Sequence, residues 1–151
     1  MKFSTRATYG LKALLYLANQ YGQRAVSVSQ IAKEEGISAS YLEQILHRLK
    51  KKQWIKSLRG PSGGYVLAKK PSDIKIGPLL YDLEGTPRSG RRVSSVQGPV
   101  SVPAHAASLF WKKLSDQNSQ LLDKTTLREL IDEARSTQKI PARGSKFSFS
   151  I

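Results

Sequence analysis

Five polar side chains crowd into seven residues: Ser38, Ser40, Tyr41, Glu43 and Gln44. They are hydrogen-bonding groups of the size that reaches a base edge from the start of a helix. Glutamine bonds adenine at N6 and N7 together, serine satisfies several edges, and glutamate accepts from cytosine N4. Glu43 can equally repel the wrong sequence. Further on stands Arg59-Gly60-Pro61-Ser62-Gly63-Gly64. Glycines let the backbone come close to a phosphate, and an arginine can enter the minor groove or grip guanine. Between the two groups lie Lys50, Lys51, Lys52 and Lys56, cations suited to a phosphate backbone. Arg6, Thr8 and Tyr9 add phosphate candidates near the start of the chain. This is recognition chemistry. Histidine, carboxylate and hydroxyl groups form no nucleophile–base constellation in the sequence, so no enzymatic activity is expected.

Each residue also has a plainer role open to it. Tyr41 and Glu43 suit packing and a helical ion pair with Arg48 or His47. Arg6 and Tyr9 suit ordinary helix surface and core, and the lysines suit a solvated face. The glycine run could be a hairpin turn alone, which leaves Arg59 unexplained. It cannot be a nucleotide-phosphate loop, because such a loop must lead into a helix, and here the strand-like Tyr65–Leu67 follows.

The elements that position these groups follow from spacing. Ser27 and Gln30 read as a capping box, with Val28, Ile31 and Ala32 facing inward and a stop at Gly36. Ser38 caps the next helix, where Leu42, Ile45, Leu46 and Leu49 form the core stripe and Ser40, Gln44, His47 and Lys51 the opposite face. Ile55–Leu58 and Tyr65–Leu67 are short strands joined by the Arg59 tip. The pattern is a helix-turn-helix followed by a wing, a DNA-reading arrangement. A first helix is expected over about Thr5–Gln20. Its two apolar stripes need cover on most sides, and a second subunit is one source of that cover.

Beyond Pro71 the spacing predicts a brief helix over Gly77–Leu83, then a loop of roughly 18 residues without period from Gly85 to Pro103. A longer helix is expected over about Ala104–Leu122. In it Ala107, Trp111, Leu114, Asn118 and Leu121 step by 4, 3, 4 and 3, a short coiled-coil-like seam with one polar position. The alternative is a helix packed on its own domain. A last short helix is expected near Thr126–Ala134, and then a basic, flexible tail. The fold class is therefore mainly α with a small β-hairpin: a winged helix-turn-helix domain over 1–84, a sensor-type loop over 85–103, a dimerisation helix and short C-terminal helix over 104–135, and a tail over 136–151.

Charge supports a nucleic-acid partner. The 151 residues hold 25 Lys and Arg against 11 Asp and Glu, a net charge of +14. Residues 1–70 hold 13 of those cations and 3 of the acids, so the footprint sits with the helix-turn-helix. A basic RNA-associated domain shares this footprint. The chain has no cysteine, which excludes disulfides and thiolate ligands and suits a reducing cytoplasm. No apolar run approaches the ~20 residues of a membrane span, so no membrane partner is expected. The first residues carry no cleavage-like site, and no signal peptide is read there.

Four stretches together resemble one family: Lys2-Phe-Ser-Thr-Arg-Ala-Thr-Tyr-Gly-Leu, Tyr41-Leu-Glu-Gln-Ile-Leu, Arg59-Gly-Pro-Ser-Gly-Gly-Tyr-Val-Leu and Thr125-Thr-Leu-Arg-Glu-Leu. The chain is similar to the winged-helix iron–sulfur cluster regulators, the IscR-like transcription factors, to about residue 135. The resemblance implies a homodimer formed through the long helix, with the partner's first helix against it, on near-palindromic double-stranded DNA. It also implies control of iron–sulfur assembly or related stress and sulfur genes. Many members hold a [2Fe–2S] cluster on three cysteines in the loop before the long helix, with a fourth ligand of another type.

This sequence departs from that pattern at the sensor, where Ser95, Ser101 and Ser108 stand in the corresponding segment. Serine is near-isosteric with cysteine, so these read as former ligand positions of a cysteine-containing parent, replaced so as to fix an apo form. The alternative is a naturally cluster-free relative controlled by a metabolite or a partner protein, of the sulfur and cysteine regulator kind. Serine hydroxyls are poor iron ligands, and His105 alone cannot replace three thiolates. No cofactor or metal is expected in this sequence on either reading.

Overall fold

Helix α1, Thr5–Asn19, is the post around which the other elements stand. The computed structural model describes residues 3–85 and 101–138. Ser4 caps α1 by accepting the amide of Ala7 at 3.1 Å. Ala7, Gly10, Ala13, Leu14, Leu17 and Ala18 are buried. The helix is apolar nearly all round because five elements of its own chain pack on it: α2, α3, the hairpin, α4 and α6. Within the chain Ala13 and Leu17 of the second stripe are buried, while Tyr9 and Tyr16 are half-buried against the same core.

Helix α2, Val28–Glu35, begins at Ser27, whose hydroxyl accepts the amide of Gln30 at 3.2 Å. The box is only half made, since the Gln30 side chain turns away and donates to the Tyr16 hydroxyl at 3.2 Å. Gly36 ends the helix in the left-handed region at φ 66°, where glycine has no Cβ to clash. Two residues on, Ser38 caps α3, Ala39–Lys51, by accepting the amide of Tyr41 at 3.3 Å. Leu42, Ile45, Leu46 and Leu49 are buried. Each full burial stabilises by about 1.5–3 kcal/mol before chain entropy is counted, so this stripe fixes which face of α3 looks outward.

The wing is an antiparallel hairpin, β1 Ile55–Leu58 and β2 Gly64–Leu67, with Ile55 opposite Leu67 and Leu58 opposite Gly64. Val26 adds a rung beyond the sequence reading: it pairs with Tyr65 through bonds of 3.0 and 2.8 Å. A 3-10 turn over Pro71–Asp73 leads to α4, Ile76–Glu84.

Helix α5, Val102–Lys124, starts two residues before the predicted Ala104, because Ser101 caps it by accepting the amide of Ala104 at 3.4 Å. Its C-terminal end packs on α4. At Gly77 an added Cβ would lie 2.9 Å from Asp123 and 3.2 Å from Leu122. No residue of α5 is buried. Helix α6, Leu127–Thr137, opens with a complete capping box of Thr126 and Glu129. It returns to the body: Leu127 is in the core, residues 74–76 bond with 125–127, and Arg135 donates to Asn19 at 2.7 Å. Most of the expected loop, with Ser95, and the tail beyond Gln138 lie outside the described residues.

Candidate nucleic-acid interface

The outward face of α3 is polar from end to end. Ser38, Ser40, Glu43, Gln44, His47, Lys50 and Lys51 are exposed. Ser38 is engaged as the cap, and its hydroxyl lies 3.5 Å from that of Ser40. Glu43 takes part in neither of the ion pairs among the described residues, which join Lys52 to Asp82 and Arg128 to Asp132. The helical pair considered for Glu43 is therefore not formed, and its carboxylate faces outward. Tyr41 is half-buried, its ring edge-on to Tyr9 with centroids 6.0 Å apart.

Arg6 has a defined internal role. Its guanidinium donates to the carbonyls of Leu83 at 2.6 Å and Glu84 at 3.0 Å, closing the C-terminal end of α4. It still borders an open concavity of ≈ 560 Å³, shared with Tyr41, Gln44, His47, Arg48, Lys51 and Lys52. In the sequence Arg48 stands out only as a helical ion-pair partner, and Lys52 as one of four lysines suited to a phosphate backbone. The signal that brings them to that face is helical: Tyr41, Gln44, Arg48 and Lys51 recur at steps of three and four along one side of α3, and Lys52 follows four after Arg48 as its C-cap.

The wing tip separates its glycines by role. Arg59, Gly60, Pro61 and Ser62 are exposed. Gly60 has φ 109° and open space where a Cβ would stand. Gly63 donates to the Gly60 carbonyl at 2.9 Å, and its Cβ would strike the Leu58 carbonyl at 2.5 Å. Gly64 lies against the Val26 carbonyl, 2.4 Å from an added Cβ. Gly63 and Gly64 are thus required by the hairpin itself, and Gly60 is the one with room for another molecule.

The expected seam on α5 lies open along one side of the helix. Ala107, Trp111, Leu114 and Leu121 are exposed and Asn118 is half-exposed. Phe110 and Leu109, which the seam pattern omitted, are 59% and 54% exposed, and Phe110 stacks edge-on with Trp111 at 5.4 Å. An open aromatic and aliphatic patch of this kind marks an interaction surface.

A capped helix-turn-helix, a basic outward helix face and an arginine-tipped wing are the parts of a DNA-binding regulator. A sequence profile of the Rrf2 family, described as an iron-dependent transcriptional regulator, matches residues 3–133. The chain belongs to the Rrf2 family of winged-helix transcriptional regulators. It is 36% identical over 130 residues to the HTH-type transcriptional regulator CymR of Bacillus subtilis, covering 86% of this chain and 89% of that one. It is 33% identical over 136 residues to the regulator IscR of Pectobacterium atrosepticum, covering 87% and 80%. Among solved structures, the global cysteine regulator CymR of B. subtilis superposes with a TM-score of 0.77 at 34% identity, over 88% of this chain and 98% of that one.

The family's description as iron-dependent raises the question of a cluster, and the residues present do not fit one. The chain has no cysteine. The Ser101 hydroxyl is spent on the first turn of α5. Ser108 sits exposed on the same helix. Among the described residues no three His, Asp or Glu side chains gather as a metal site. None of the described helices is long and apolar enough to cross a membrane.

Proposed function

We propose that this Rrf2-family regulator is a homodimer that binds near-palindromic operators in the cytoplasm and works without an iron–sulfur cluster. One observation carries the reading. Among the described residues, Glu43 and Gln44 spend their side chains on no internal hydrogen bond or ion pair, and with Ser40 and the Arg59 tip they lie outward. Gln44 and Ser40 read base edges, with Ser38 and Tyr41 at the mouth of the groove. Arg59, Gly60 and Ser62 follow the neighbouring groove or backbone, closed behind by Gly63. Lys51 neutralises a phosphate, and Arg6 and Tyr9 border the same surface. Two copies join through Ala107, Trp111, Leu114, Asn118 and Leu121 of α5, which sets the half-site spacing.

The test begins with the duplex that the unsubstituted chain selects from a randomised library. Arg59→Ala and Gln44→Ala should each lower the affinity ratio of that duplex to random DNA by about 1–3 kcal/mol. An unchanged ratio in both variants rejects the residue assignment. Glu43→Ala should broaden the set of duplexes recovered, and an unaltered set removes the repelling role. Preference for RNA at matched salt would replace DNA as the partner.

The likeness to CymR supports one version, a naturally cluster-free regulator of sulfur or cysteine genes controlled by a metabolite or a partner protein, and the likeness to IscR supports another. The capping role of Ser101 supports the first, because serine is what a helix start selects at that position. The other version is a cluster regulator whose ligands at 95, 101 and 108 were changed from cysteine. Cysteine codons at those positions in the source gene would decide for it.

A further inference from the structure

Three parts of the DNA-facing half are fastened to the last turn of α4. Ser4 donates its amide to Glu84 Oε1 at 2.7 Å, and Arg6 closes on the carbonyls of Leu83 and Glu84. Asp82 makes the third fastening. Its Oδ2 accepts the indole N–H of Trp54 at 2.9 Å, and its Oδ1 stands 3.7 Å from Lys52 Nζ.

Trp54 is the joint between α3 and the wing. Its amide donates to Leu49 O at 3.0 Å, and its carbonyl accepts from the Ala68 amide at 3.0 Å. Gln53 before it has φ 62°, the one positive φ at a non-glycine residue among the described residues. The turn is therefore tight, and its conformation is one that side chains resist. Besides the burial of Ile55 and Leu67 in the core, two polar fixings hold the wing to the body: the Val26–Tyr65 backbone bridge and the Asp82–Trp54 bond. The lever is long. Four strand residues at ~3.3 Å each, plus the tip, turn a tilt of about 5° at Trp54 into a shift of ~1 Å at Arg59. A shift of that size is enough to spoil a preorganised contact.

We propose that Asp82 is a positioning residue for sequence selectivity. By holding Trp54 it sets where Arg59 meets the duplex, and by drawing Lys52 aside it withholds one cation from indiscriminate phosphate contact. The inference rests on the DNA-facing reading of α3 and the wing given above.

The test uses the full chain, the selected duplex, and a random duplex of equal length, titrated between about 50 and 200 mM salt. Trp54→Phe keeps an aromatic ring, though a smaller one, and loses the donor. Asp82→Leu loses both contacts, and Asp82→Asn keeps an acceptor while losing the charge. Trp54→Phe and Asp82→Leu should each lower the selectivity ratio roughly fivefold, the worth of about one hydrogen bond. The double variant should lose no more than either single one. Asp82→Asn should restore the ratio. Both Asp82 variants free Lys52 for the phosphates of either duplex, so the salt slope should steepen by about 0.9 on the selected and the random duplex alike.

A ratio unmoved by Trp54→Phe and Asp82→Leu, losses that add in the double variant, or a loss that merely follows a fall in melting temperature overturns the proposal. Arg59→Ala keeps the two readings apart. If it lowers the ratio while the Asp82 and Trp54 variants do not, only this inference fails. If it too leaves the ratio unmoved, the wing assignment itself has failed.

Discussion

Tyr41 stands edge-on to Tyr9, with ring planes 74° apart and centroids separated by 6.0 Å. The opening turn of the recognition helix is thereby braced on α1, the helix that the rest of the fold surrounds. Such aromatic pairs contribute about 0.5–1.5 kcal/mol beyond the area they bury. Tyr9→Leu is expected to lower stability by about 1 kcal/mol in urea unfolding. A double-mutant cycle with Tyr41→Leu should return a coupling in the same range. Strict additivity of the two substitutions would mean that the rings are neighbours without being partners.

The glycines of the wing should separate by experiment as they do by geometry. Gly64 combines φ 152° with a backbone carbonyl 2.4 Å from where a Cβ would be, whereas Gly60 has φ 109° and open space. Gly64→Ala should cost about 2 kcal/mol or more in a thermal melt, since neither backbone can yield cheaply. Gly60→Ala should cost about 1 kcal/mol, from the backbone alone. Its effect on duplex affinity should exceed what that loss predicts, because the added methyl fills open space that the proposed reading gives to the duplex. Equal effects of both variants on stability would contradict this division.

Helix α5 carries Phe110, Trp111, Leu114 and Leu121 with 59%, 58%, 38% and 66% of their surfaces open. Leu114→Glu puts a charge in the middle of that seam, and sedimentation equilibrium should find the unsubstituted chain as the proposed dimer and this variant as a monomer. Asn118→Leu should act the other way, tightening association while loosening its register, as a polar seam position trades stability for specificity. Operator affinity should fall with the dimer in the first variant. A Leu114→Glu chain that still sediments as a dimer would move the interface elsewhere.

What could be read ahead of the structure was local. Ser38, the Leu42–Leu49 stripe and the turn residues of the wing each sit within a few positions of what they determine, so α3 and the hairpin fall within a residue or two of expectation. What could not be read joins distant residues. The pairing of Val26 with Tyr65, the Arg6 bonds to Leu83 and Glu84, and the Trp54–Asp82 bond span 28 to 78 positions and leave no period behind. The same limit explains α1. Its two apolar stripes showed that it needed cover, but not that α6 would return to supply part of it. The early start of α5 was hidden by Pro103, which reads as loop yet is at home in the first turn of a helix.

Gln53 gives a way to measure strain near the interface without touching it. Its φ of 62° lies where a side chain crowds the following carbonyl. Glycine avoids that crowding but loses more chain entropy on folding. The balance at a left-handed position favours glycine, so Gln53→Gly should raise stability by about 0.5–1 kcal/mol in chemical denaturation. Selectivity between duplexes should stay level, because Asp82 still holds Trp54. A destabilised Gln53→Gly chain would indicate that the glutamine side chain makes a contact worth more than the backbone strain.

Ser101 links the start of α5 to the question of the cluster. Its hydroxyl accepts the Ala104 amide at 3.4 Å, and an N-cap lost to alanine costs about 1 kcal/mol. Ser101→Ala should therefore lower helical signal and weaken association through α5. Ser101→Cys should behave like alanine, because a thiol is a weak acceptor. Cysteine at this position thus gives up the cap unless metal binding offsets it. With serine the cap is made, but the soft ligands that iron–sulfur clusters require are absent. Incubating the unsubstituted chain with ferrous iron and sulfide under anaerobic conditions is expected to leave the visible spectrum flat and the affinity for the selected duplex unchanged. A cluster-type absorbance band that moves that affinity would show that oxygen and imidazole ligands suffice here, and the cluster-free reading would have to be abandoned.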